Sequence, residues 1–169
     1  MESLHRTVNR GSTRDEDLQV KQQPIEILIV EDNDADVNLT RAALQDATIA
    51  NEIHTVGDGE QAIAFLKREG TYANAPHPDL ILLDLNLPNK NGFEVLAEMK
   101  ADPDLKTIPV IVFSGSDEES DIAKAYNLQI AAYLVKPTNV DGYFSAIRAV
   151  KELWFHMVAY PPRKRGTSA

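Results

Sequence analysis

The chain has 169 residues, 43% of them hydrophobic, no cysteine, and a formal net charge of −9. That length fits one domain with its own core, and the absence of thiols excludes a disulfide framework or a thiolate metal site. No apolar run approaches the roughly 18–20 residues of a membrane-spanning helix, and the polar N-terminus has no apolar stretch of the secretory kind, so a cytoplasmic protein with no membrane partner is expected. The charge is uneven. Residues 1–23 balance four basic against four acidic side chains, while Arg163, Lys164 and Arg165 make the end basic. The body between is therefore strongly acidic, which argues against nucleic acid, whose phosphates demand basic surface.

Residues 1–23 are polar and lack periodicity, and read as a flexible extension with weak helix potential around Asp15–Gln22. The folded domain is expected over 24–158, with a basic, solvated tail over 159–169. IEILIV (25–30) is an apolar, β-branched run, the mark of a buried parallel strand. Val37, Ala43 and Leu44 then space a helix over 36–46. EIHTV (52–56) reads as a strand. Asp58 with Gln61 makes a capping-box signal for a helix through Ile63, Phe65 and Leu66. DLILLD (79–84) is the most apolar strand, and a helix follows from Phe93 to Lys100. IPVIVFS (108–114) is a strand, and Ser116 with Glu119 signals a capping box opening the next helix, to about Asn127. IAAYLV (130–135) is the fifth strand. A long helix runs from Asn139 to about Val158, with Val140, Tyr143, Phe144, Ile147, Val150 and Trp154 on one stripe.

Five strands alternating with five helices predict an α/β fold, a (βα)5 doubly wound parallel sheet with helices on both faces. Ligands of such sheets sit beyond the carboxyl ends of the strands. Those ends carry Glu31 and Asp32, Asp84, Ser114, and Lys136 before Pro137. Three carboxylates in one pocket repel by several kcal/mol at the dielectric of a partly buried site. A hard divalent cation relieves this, and an all-oxygen donor set suits Mg²⁺, with Mn²⁺ also acceptable. Lys136 and Ser114 are donors suited to phosphoryl oxygens, and a carboxylate can itself carry a phosphoryl group. The Lys136–Pro137 bond is a candidate cis peptide.

The set VED (30–32), DLNLP…G (84–92), SGS (114–116) and YLVKP (133–137) resembles the receiver domain of two-component response regulators, over residues 25–155. The resemblance implies a flavodoxin-like, CheY-like sheet in strand order 2-1-3-4-5. It implies Mg²⁺ held by Glu31, Asp32, Asp84 and the backbone carbonyl of Asn86, with Asp84 as phosphoacceptor. It implies Lys136 pairing with the phosphoryl group, and Ser114 and Tyr133 as the switch pair that reshapes the face of the fourth helix, fifth strand and fifth helix. A sensor histidine kinase would be the donor, and the domain would catalyse only its own phosphorylation and slow dephosphorylation. About ten polar residues follow the last helix, so a stand-alone receiver is expected.

The end of that helix, LWFHMVAY (153–160), is apolar on several sides. Such a patch marks an interface, and a homodimer through the fifth helix is expected, using Tyr143, Ile147, Val150, Leu153, Trp154, Phe155 and Met157. This tail, with REGTYANAPHPDL (68–80) and NLQI (127–130), resembles response regulators that partner bacterial and cyanobacterial phytochrome kinases. Three other readings fit less well. A phosphatase of the haloacid dehalogenase type wants an acid where Asn86 stands. A nucleotide or flavin domain wants a glycine- or hydroxyl-rich first loop, and EDNDAD would repel phosphate without a metal. A receiver acting by shape alone would have no use for the complete acid set.

Overall fold

The computed structural model describes residues 23–45 and 49–163. The strands are β1 (Ile25–Val30), β2 (Asn51–Val56), β3 (Leu80–Leu83), β4 (Val110–Ser114) and β5 (Ala132–Val135). The helices are α1 (Asp34–Gln45), α2 (Gly59–Lys67), α3 (Gly92–Ala101), α4 (Glu119–Asn127) and α5 (Val140–His156), with one 3-10 turn at Gly70–Tyr72. All pairings are parallel, in the order β2-β1-β3-β4-β5. The expected class and strand order are both present.

Side chains alternate across a strand, so one apolar run serves two cores. Leu28, Val30, Ile81 and Leu83 pack with α2, α3 and α4, while Ile27, Ile29, Leu80 and Leu82 pack with α1 and α5. β1, β3 and β4 are covered on both faces, which is why their sequences are almost wholly apolar.

The expected local signals are realised in part. Asp58 caps α2, accepting from the Gln61 N–H at 2.7 Å. The capping box expected at Ser116 and Glu119 is not formed. α4 begins only at Glu119, and Ser116 Oγ is bound instead to Asp121 Oδ2 at 2.7 Å. A complete capping box joins Asn91 and Glu94 at the start of α3 instead. Pro137 is not cis: no described residue has a cis peptide bond. The Lys136 N–H stays on the ladder, 2.7 Å from the Ser114 carbonyl, and the chain turns later, where Asn139 caps α5 through the Gly142 N–H. No tight turn is needed at the proline.

The apolar end of α5 is also corrected. Tyr143, Ile147, Val150, Trp154 and Phe155 lie inside the core. The stripe packs on the sheet and α1, with Tyr143 against Thr40 and Phe113, and the chain beyond α5 folds back at its Trp154 end, which the helical stripe could not reveal. Tyr160 donates to the Trp154 carbonyl at 2.5 Å, and both it and Val158 pack on the same cluster as Ile25 and Ile53. Of the seven expected interface residues only Leu153 (48% exposed) and Met157 (78%) face outward. Arg163, expected in a solvated tail, closes this return. Its guanidinium pairs with Asp79, 3.0 Å from Nε to Oδ1, and reaches the Pro24 carbonyl at 3.1 Å. Residues 1–22 and 164–169, which include most of the two predicted flanking segments, lie outside the described residues.

Among the described residues no helix is long and apolar enough to cross a membrane.

Candidate functional site

The ladder brings the acidic residues together. The Glu31 N–H continues β1 onto the Val56 carbonyl at 3.1 Å, and the Asp84 N–H continues β3 onto the Val30 carbonyl at 3.0 Å. Both side chains therefore emerge at the same edge, on neighbouring strands. One carboxylate oxygen each from Glu31, Asp32 and Asp84 lies within 4.8 Å of the others. Glu31 and Asp84 are buried, and Asp32 is exposed.

Lys136 arrives from the end of β5 and spans the cluster. Its Nζ donates to Glu31 Oε2, to Asp36 Oδ2 at 2.9 Å and to Asp84 Oδ2 at 3.4 Å. Burial alone would pull its pKa down. The bonds to Glu31 and Asp36 and the charge of Asp84 outweigh this, and the net shift is upward. Glu31 is pushed up to about 7, chiefly by burial, with Lys136 opposing and the Asp84 charge adding to the rise. A Glu31 N-terminal to the helix also accepts from the Asn33 N–H at 3.1 Å.

Ser114 is buried at the end of β4, and its Oγ accepts from the Ser116 N–H at 3.3 Å. Tyr133, half-buried on β5, donates from its hydroxyl to the Ser116 carbonyl at 2.9 Å. The two expected switch residues thus both hold Ser116, one at its N–H and the other at its carbonyl.

Asn86, two residues after Asp84, is exposed between the buried Leu85 and Leu87, its N–H 3.4 Å from Asp84 Oδ1. The loop that carries it is pinned. The Gly92 N–H binds the Leu85 carbonyl at 2.9 Å, and a Cβ on Gly92 would sit 2.6 Å from the Asp84 carbonyl oxygen. Asn89 adopts a left-handed conformation (φ 63°), and its side chain donates to Asp58 Oδ2 at 3.0 Å, joining the loop to the cap of α2. Asp36 and Asn89 were not singled out from the sequence, and Asp58 was read only as the cap of α2. Asp36 was hidden because EDNDAD offers four acids in six residues, and only the docking of α1 selects Asp36 to join Glu31 at Lys136.

A parallel five-stranded sheet with this acid cluster and lysine at its carboxyl edge defines a class. The chain belongs to the response regulator receiver domain family, whose sequence pattern matches residues 27–148. Among its relatives is Response regulator Rcp1 of Synechocystis sp., 45% identical over 138 residues, or 82% of this chain and 94% of the relative. The crystal structure of the phosphorylated cyanobacterial phytochrome response regulator RcpA is similar with a TM-score of 0.81, at 47% identity over 83% of this chain and 100% of the other. The Mn²⁺-bound form of Rcp1 gives a TM-score of 0.80 at 45% identity, over 82% of this chain and 100% of the other.

Proposed function

We propose that this chain is a phosphoacceptor in a two-component pathway, taking a phosphoryl group from a phosphohistidine of a sensor kinase onto Asp84. The observation that carries this reading is the meeting of Glu31, Asp32 and Asp84 oxygens within 4.8 Å, with the Lys136 ammonium bound to two of the three. The Asp84 carboxylate oxygen attacks phosphorus. A P–O bond forms, the P–N bond breaks, and the imidazole leaves with the electron pair. Lys136 holds the phosphoryl oxygens as it now holds carboxylates.

The donor set fits a hard divalent cation, Mg²⁺ foremost and Mn²⁺ as well, held by Glu31, Asp32, Asp84 and the Asn86 backbone carbonyl. When bound, such an ion neutralises clustered charge and stabilises that of the transferring group. The Mn²⁺-bound state of the Rcp1 relative supports this.

Signalling follows from the shared loop. If Ser114 Oγ turns toward the phosphoryl group, the 114–116 loop moves, and the Tyr133–Ser116 bond is lost. Tyr133 then swings inward, altering the α4–β5–α5 face. The protein is a switch, not a turnover enzyme, and works in the cytoplasm. The phytochrome assignment of RcpA supports a bacteriophytochrome-type kinase as donor. A homodimer through α5 would use its exposed Leu153 and Met157.

Incubation with acetyl phosphate and Mg²⁺, read by intact mass, should add one phosphoryl group to the wild type and none to Asp84→Ala. An adduct that survives in Asp84→Ala would refute the assignment.

A further inference from the structure

We propose that Asp36 is a positioning residue that holds Lys136 back from an incoming phosphoryl group and so sets how readily the acceptor is loaded; the inference rests on the phosphoacceptor reading above. An ammonium group has three N–H donors. In Lys136 all three are engaged, by Glu31, Asp36 and Asp84. Glu31 and Asp84 belong to the acid cluster, whereas Asp36 stands on the first turns of α1 and is not one of the three clustered acids.

Asp36 is held where Lys136 can reach it. Its N–H donates to Asn33 Oδ1 at 3.1 Å, and its carbonyl accepts from the Tyr143 hydroxyl at 3.2 Å. Tyr143 is itself fixed, 2.7 Å from Thr40 Oγ1 and edge-on to Phe113. The α5 helix therefore anchors the Asp36 backbone through a buried tyrosine.

A dianionic phosphoryl group needs an ammonium donor, and one carboxylate must yield it. The side chain of Asp36 is 26% exposed, against 7% for Glu31 and 8% for Asp84. Returning Asp36 to water costs least, because its desolvation is the least complete. Asp36 is thus the arm that releases Lys136, and its attraction for the ammonium is a barrier to seating the donor.

The test compares Asp36→Asn and Asp36→Ala with Asp34→Asn. Asp34 is an exposed carboxylate on the same turn, and none of the three Lys136 bonds goes to it. Adduct formation is followed by mass over a range of acetyl phosphate concentrations in Mg²⁺. Both Asp36 variants should lower the half-saturating donor concentration by about five-fold, the scale of one partly exposed ion pair. The plateau rate should hold, and Asp34→Asn should behave as wild type. An unchanged or raised half-saturating concentration in the Asp36 variants overturns the inference. So does an equal gain in Asp34→Asn, which would mean only a general field effect. If wild type forms no adduct at all, the phosphoacceptor reading itself fails, and the inference with it.

Discussion

At the scale of single residues, the site is a balance between too many carboxylates and one lysine. Glu31, Asp32, Asp84, Ser114 and Lys136 were legible because a parallel sheet sends its strand ends to one edge, so residues far apart in the chain could be placed together. Asp36 was not legible, since it lies within a helix rather than at a strand end and its seat depends on Tyr143. Glu31 carries the clearest pH dependence. Its pKa is raised from 4.5 to about 7 in the folded, metal-free protein. The native state then binds more protons than the unfolded chain between those values, so this stabilising contribution is complete below 4.5 and lost as pH rises through 7. Denaturant titrations in chelator should show a fall in stability over that window, and Glu31→Gln should flatten it. A divalent ion requires the deprotonated form, so its apparent affinity, measured by calorimetry, should rise with pH through the same range. An affinity independent of pH there would contradict the Glu31 assignment.

At the scale of elements, helix boundaries depended on which polar partner won each capping residue. Asp58 behaved as its spacing suggested, but Ser116 was drawn to Asp121, and Asn91 formed the capping box with Glu94. Asp58 does more than cap. It accepts from both Gln61 and Asn89, joining α2 to the loop that carries Asn86. Asp58→Ala should cost about 1–2 kcal/mol by urea unfolding, the value of a lost cap. It should also weaken divalent binding, because the loop loses its tether to α2. Asp58→Asn keeps one acceptor oxygen and should recover the cap but not the tether, because its amide nitrogen would stand where Oδ2 accepts from Asn89. The same logic separates two readings of α5. Trp154→Ala removes a core side chain and should destabilise by about 3–5 kcal/mol. Met157→Glu alters only the surface and should leave the midpoint of unfolding in place. If α5 forms a dimer, sedimentation of Met157→Glu should shift toward the monomer. A dimer unaffected by that change would place the contact elsewhere.

Across the whole molecule, the sheet separates two ends with different tasks. Its carboxyl edge gathers the acids and Lys136, and its amino edge holds Asp79, Pro24 and Arg163. The sequence pattern fixed the number and order of layers because alternation and strand content are local properties. It could not show the return of 158–163 beneath the sheet, since nothing local in VAYPPR announces a guanidinium destined for Asp79.

That clasp brings Pro24 and Arg163 side by side, below strands whose length sets them roughly 15–20 Å from the acid edge. A fluorophore or affinity handle joined near either position would therefore hang from the floor of the molecule. It would leave the ceiling, where the proposed donor kinase would dock, clear for observation.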